Sequence, residues 1–132
     1  MITMLYAGLL AIIFAVLTVR VAHARYKYRV GLGDGGVPDL TQRIRIHGNF
    51  AEHVPFALLL LFMVDYAQYA PILIHVLGIL LVVARVLHVC GISRTSGASW
   101  GRFLGTVLTL TVMLVCAVLL LWKFFVIRLA GF

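Results

Sequence analysis

The chain has 132 residues, of which 64% are hydrophobic and 11% charged, with a mean hydropathy of +1.12. A soluble domain of this size has too little interior to bury so much apolar surface, so a water-soluble fold is excluded. Lys and Arg number 11 against 4 Asp and Glu, a formal charge of +7, but no basic groove interleaved with aromatics points to nucleic acid; basic loops at a membrane surface account for the excess.

The first segment runs without a charge from Ile2 to Val19 and continues through Arg20 to Arg29, which can carry a helix into the headgroup region. It has no basic stretch before it, so it is expected to be a retained helix and not a cleaved signal. Gly31 to Pro38 is a loop, because its glycines and its proline oppose both helix and strand. Asp39 is then expected to cap the second helix, with Gln42 three residues on as in a capping box. The second segment, Leu40 to Val64, is polar in its first half and apolar in its second. The third, Pro71 to Ile92, is interrupted by His75, Arg85 and His88, and the fourth, Phe103 to Trp122, is uncharged. The expectation is an all-α, integral-membrane four-helix bundle in a single domain, with helices over about 2–29, 39–65, 71–93 and 101–128.

Basic residues gather after the first segment (Arg20, Arg25, Lys27, Arg29) and around the loop after the third (Arg94, Arg102). The positive-inside rule puts those loops in the cytoplasm and both termini outside, with Lys123 and Arg128 voting the other way. Tyr26, Tyr28, Tyr66, Tyr69, Trp100 and Trp122 lie near segment ends, where amphipathic rings anchor to the interface. Cys90 and Cys116 fall inside apolar segments and are expected to be buried packing residues, with no paired-cysteine motif.

Ionisable groups inside membrane helices are costly and normally face a bundle interior or a polar cavity. At helical spacing Arg45, Asn49, Glu52 and Phe56 share one face of the second segment, with Gly48 beside them, His53 at the edge and His47 pointing away. Arg85, His88 and Ile92 share a face of the third. Both clusters fall toward the same end of the bundle and can meet. Pro55 cannot donate to the carbonyl of Ala51 and is placed to bend the helix. One reading of the clusters is an ion-pair network of Arg45, Glu52 and Arg85 bridged by Asn49. Its surplus of arginine over carboxylate favours the other reading, a cavity for an anionic ligand, since guanidinium forks suit carboxylates. A metal site is not expected, because His47 and His53 lie on different faces and the spacing is not His-Glu-x-x-His. His75, alone in an apolar run, reads as a packed, hydrogen-bonded residue, and Gly105, Thr106, Thr109 and Thr111 suit close helix packing.

The stretch Arg45-Ile46-His47-Gly48-Asn49-Phe50-Ala51-Glu52-His53-Val54-Pro55 resembles the R-x-x-x-N-x-x-E signature, followed by proline, of the membrane-associated proteins in eicosanoid and glutathione metabolism, the MAPEG family. Ala24 to Val30 is similar to the basic end of that family's first helix, Ala84-Arg85-Val86-Leu87-His88 to a run on its third, and Arg102 to an arginine opening its fourth. The compact form is most similar to a bacterial inner-membrane branch. The resemblance implies a homotrimer with sites between neighbouring subunits, open to the cytosol, that bind glutathione as substrate or cosubstrate. It implies that Arg25, Arg45 and Arg85 meet the carboxylates or line the pocket, that Asn49 and Glu52 orient the backbone and amino group, and that His53 and His88 lie alongside. Arg102 is implied as the catalytic, thiolate-stabilising cation, with the Ser99 hydroxyl as the alternative. The chain departs from the family at His53, where some members carry tyrosine, at Ile92 in place of a glutathione-contacting tyrosine, and at Thr41-Gln42 in place of a Glu-Arg pair. The expected function is a glutathione transferase or peroxidase acting on lipophilic electrophiles from the bilayer. The alternatives are a non-catalytic lipid- or anion-binding membrane module and, fitting less well, a channel or transporter.

Overall fold

A computed structural model describes residues 1–94 and 99–129, apart from the side chains of Ile92 and Arg94. The expectations for Ile92 as a cavity-face residue and for Arg94 as a loop cation lie outside the described residues. Four helices account for nearly all of the described chain: α1 (Thr3–Tyr28), α2 (Pro38–Tyr66), α3 (Pro71–Arg94) and α4 (Trp100–Leu129). At 1.5 Å per residue they are roughly 36 to 45 Å long, enough to cross a hydrocarbon core of about 30 Å. All four contain windows apolar enough to span a membrane.

The helix ends follow from local chemistry. α1 stops where Arg29 takes a left-handed conformation (φ 55°) and the Val30 amide returns to the Arg25 carbonyl. α2 starts two residues earlier than the Asp39 capping box would have it. Its N-cap is Val37, and Pro38, whose ring presets a helical φ, occupies the first turn. Asp39 is therefore already inside the helix. Its carboxylate receives Arg43 Nε at 3.1 Å and the Tyr28 hydroxyl at 3.1 Å, tying the end of α1 to the start of α2. The proline at 55 does not divide α2, which stays helical through it.

α2 and α3 each touch every other helix, whereas α1 and α4 do not touch among the described residues. The shared interior is apolar, built around Leu10, Leu61, Leu81, Val112 and Cys116. The outward faces are apolar as well: Ile12 is 65% exposed, Leu114 66% and Ile72 70%. Water would not tolerate such a surface, but acyl chains solvate it without penalty. Cys90 belongs to this outward surface and is exposed, which corrects its expected burial; Cys116 is buried. In a bilayer protein an apolar sequence environment fits the lipid side as well as the core.

Polar side chains inside the bundle are hydrogen-bonded in pairs that clamp the helices. At the end carrying the N-terminus, Asp65 Oδ2 accepts the Thr3 amide at 2.8 Å and the Thr3 hydroxyl at 2.9 Å, satisfying the first turn of α1 from the last turn of α2. The Tyr6 hydroxyl lies 2.7 Å from His75 Nδ1, so His75 is a packed hydrogen-bonded residue, and Gly78 leaves room for the Tyr6 ring. His47 points toward α1, stacked on Phe14 at 4.8 Å. Of the aromatics expected at the interface, Tyr26, Tyr66, Trp100 and Trp122 are exposed. Tyr69 instead donates to the Leu119 carbonyl at 2.6 Å.

α3 and α4 approach each other closely. A Cβ at Gly105 would lie 2.5 Å from the Ala84 carbonyl oxygen and 2.8 Å from His88 Cβ. Gly105→Ala is expected to force α3 and α4 apart at a cost of about 1–3 kcal/mol. A lower midpoint of detergent-induced unfolding checks this, and an unchanged midpoint contradicts it.

Candidate functional site

The polar face of α2 and the polar face of α3 meet at the end of the bundle that holds the α1–α2 loop. Arg45, Gly48, Asn49 and Glu52 from α2, His88 from α3 and Arg102 from the first turn of α4 surround a cavity of about 750 Å³, closed on one side by Gly36, Pro38 and Thr41. Small-molecule sites typically occupy about 300–1,000 Å³. The α2 residues recur at the three- and four-residue spacing that puts side chains on one helix face. Phe56, which shares the helical face in projection, lies one turn farther on, exposed and outside the cavity lining.

Arg85 stands behind this wall, 1% exposed. Its Nη1 donates to Asn49 Oδ1 at 3.1 Å, and its Nη2 donates to Thr109 Oγ1 at 2.6 Å and to the Gly105 carbonyl at 3.3 Å. The ion-pair network, one of the two readings of these clusters, is absent among the described residues, where Arg43 to Asp39 is the single ion pair. Glu52, the carboxylate of that network, is exposed in the chain and forms no ion pair with the buried Arg85. The reason is depth: Asn49 is the α2 residue level with Arg85, and Glu52 is nearly a turn away from it. A buried guanidinium held by neutral oxygens keeps its full charge behind the cavity, at a desolvation cost of several kcal/mol.

The threonines of α4 are the part of the site that spacing on α2 and α3 did not identify. In the antiparallel α3–α4 pair, Arg85 meets Thr109, and His88 meets Thr106 at 3.2 Å, so the same three-residue step appears on both helices. That matched spacing of polar residues was the available signal. Gly105 admits the contact by having no side chain.

His53 does not line the cavity; its Nδ1 donates to the Asn49 backbone carbonyl at 2.9 Å. Arg25 is apart from the cavity: its Nη1 donates to the Gly33 carbonyl at 2.8 Å and to those of Val30 and Gly31 at 3.4 Å, folding the α1–α2 loop back on the helix end. With Lys27 and Arg29 it forms a separate basic surface. Ser99 Oγ accepts the Arg102 amide at 3.3 Å and so caps α4, which sets Arg102 at the cavity mouth; the hydroxyl itself does not line the cavity. Among the described residues no cluster of His, Cys, Asp and Glu is arranged to hold a metal.

Asp34 organises the loop that closes one side. Its carboxylate accepts the Gly36 amide at 3.0 Å and the Thr41 hydroxyl at 2.7 Å, and these bonds, the Gly36 amide first, hold its pKa below the ordinary value of 3.8. Thr41, at one of the positions where the chain departs from the family pattern, is thus a loop anchor.

Four membrane-length helices with a cation-rich cavity at one end define the class: a polytopic integral membrane protein. The sequence matches the family model described as the MAPEG family over residues 3–122. It is 36% identical over 91 residues to inner membrane protein YecN of Escherichia coli K12, an alignment covering 69% of this chain and 70% of that protein. YecN of Escherichia coli O6:H1 strain CFT073 matches to the same extent. The chain belongs to the MAPEG family.

Two outcomes are expected from this geometry. Asn49→Leu leaves Arg85 Nη1 without its acceptor and is expected to cost about 1–3 kcal/mol in detergent unfolding; unchanged stability would mean the bond contributes nothing. A carboxyl with a lowered folded pKa contributes loop stability above its ordinary value and loses it as pH falls through the folded value. Asp34→Ala should therefore speed hydrogen exchange at the Gly36 amide at neutral pH, while the wild type reaches comparable opening only in acid. Equal neutral-pH rates would contradict this.

Proposed function

We propose that this protein is a glutathione-binding membrane enzyme, a transferase or peroxidase that presents the glutathione thiolate to lipophilic electrophiles entering from the bilayer. The observation that carries the reading is the composition of the cavity: two guanidiniums, Arg45 and Arg102, with Asn49 and the Glu52 carboxylate, backed by the buried cation of Arg85. Glutathione offers two carboxylates, an ammonium group and a thiol. Arginine forks suit the carboxylates, and Glu52 suits the ammonium. Membership of a family that includes glutathione transferases supports the same ligand.

In the transfer reaction the sulfur's electron pair forms a bond to an electrophilic carbon, and the leaving group departs with the pair of the bond that breaks. Arg102 at the cavity mouth is placed to stabilise the thiolate by its charge, as a nearby cation does for any reactive thiol. The apolar outer faces allow a lipophilic partner to approach from the membrane without crossing water. In the trimer that the family resemblance implies, the cavity lies between neighbouring subunits, with the end of α1 that carries Arg25 facing the same solvent as Arg45. The departure at Ile92 favours a second reading, in which the same cavity holds an anionic ligand without chemistry.

Calorimetry on the purified protein in nanodiscs is expected to show saturable glutathione binding, weakened at least about ten-fold by Arg45→Ala. Arg102→Ala is expected to keep binding within a few-fold but to lose the thiolate absorbance. Wild-type protein that binds no glutathione refutes the reading; binding without thiolate in either protein selects the non-catalytic one. Native mass spectrometry from detergent reads the subunit number, with a mass of three chains expected.

A further inference from the structure

His88 is 3% exposed, lines the cavity, and has no hydrogen-bond partner at Nε2. The role of that nitrogen follows from its neighbours. The Thr106 hydroxyl has a single hydrogen, which it donates to the Arg102 carbonyl at 2.9 Å, the usual bond of a helical threonine to the carbonyl four residues back. Toward His88 Nδ1, 3.2 Å away, the Thr106 oxygen is therefore the acceptor, and Nδ1 carries the ring hydrogen. In the neutral ring Nε2 is then a bare lone pair, buried at the cavity wall with nothing donating to it.

The side chains of Arg45 and Arg102 only donate, and the Asn49 side-chain oxygen Oδ1 is taken by Arg85. The Glu52 carboxylate stands at the exposed side. The titratable and charged groups nearest His88 are Arg85 on its own helix, Arg102 on α4 and His53 on α2, with Arg45 and Glu52 around the cavity. A ligand group that satisfies Nε2 must donate a hydrogen, and the adjacent guanidiniums reward it for becoming an anion once that hydrogen is given up.

We propose that His88 Nε2 is the acceptor for the thiol hydrogen of the bound peptide thiol, an inference that rests on the glutathione reading above. The S–H bond breaks with its electron pair left on sulfur, and the proton goes to Nε2. Sulfur then forms the bond to the electrophilic carbon while the leaving group departs with its own pair, and the imidazolium proton passes to water at the cavity mouth. Arg102 stabilises the sulfur anion; His88 removes the proton. Thr106 is a positioning residue that fixes which ring nitrogen is free.

The test measures thiolate absorbance of bound glutathione against pH in the wild type, His88→Gln and Thr106→Val, together with the affinity for S-methylglutathione, which has the same carboxylates and no thiol hydrogen. Glutamine can still hydrogen-bond but cannot take the proton. The expected result is that ionisation of bound glutathione in His88→Gln moves up by about one pH unit or more, with Thr106→Val shifted less in the same direction. S-methylglutathione affinity should stay within about two-fold in both variants. An unchanged pH profile in His88→Gln overturns this inference and leaves the glutathione reading intact. Equal loss of affinity for both ligands in that variant also overturns it, since His88 then acts on binding or structure. If His88→Gln does not fold, an unchanged profile in Thr106→Val overturns it. Wild-type protein that binds neither ligand refutes both readings.

Discussion

Arg85 is the residue around which this bundle is organised. A guanidinium in a membrane interior is tolerated where hydrogen-bond acceptors surround it, and here they come from two other helices, Asn49 on α2 and Thr109 with the Gly105 carbonyl on α4. Each acceptor is available because something else is arranged: Asn49 lies at the right depth on the polar face of α2, and Gly105 lets α4 approach closely enough for its carbonyl to be reached. Helix packing in lipid lacks a hydrophobic driving force, so polar contacts of this kind and close small-residue approaches set which helices meet and in what register.

The same constraint builds the cavity. Holding Arg85 with neutral oxygens leaves its charge unneutralised, and the adjacent wall carries two further guanidiniums against one carboxylate. The electrostatic character of the site is thus inherited from how the bundle is held together. The α1–α2 loop adds the closing side, with Arg25 and Asp34 both engaged in shaping it: Arg25 gathers the loop carbonyls, and Asp34 fixes Gly36 and Thr41. At the opposite end of the bundle Thr3 is bonded to Asp65 and Tyr6 to His75, so the two ends differ in chemistry.

The membrane-bundle architecture was legible in the sequence because hydropathy over some 20 residues is a local property, insensitive to how helices are arranged. The polar faces of α2 and α3 were legible for a similar reason, since helical periodicity places Arg45, Asn49 and Glu52 together without reference to any partner. The family signature also lies along one helix. What failed were statements about which groups meet. One of the two readings of the clusters paired Glu52 with arginine because opposite charges attract, yet side-chain depth assigned Asn49 to Arg85 instead. Asp39 fits a capping pattern, but Pro38 started the helix before it. Cys90 sits in an apolar run and faces outward, because in lipid apolarity no longer distinguishes inside from outside.

The sequence by itself determined that the chain lives in a membrane, that it forms four helices, and that two of them carry polar faces, since each of these depends on residues near one another along the chain. The tertiary structure alone decided which acceptors hold Arg85, that Arg25 serves the loop and not the cavity wall, and that Thr106 leaves His88 Nε2 free. Those facts depend on the register and separation of antiparallel helices. A single glycine on α4 does much to set that register, and its partners lie about twenty residues away along the chain.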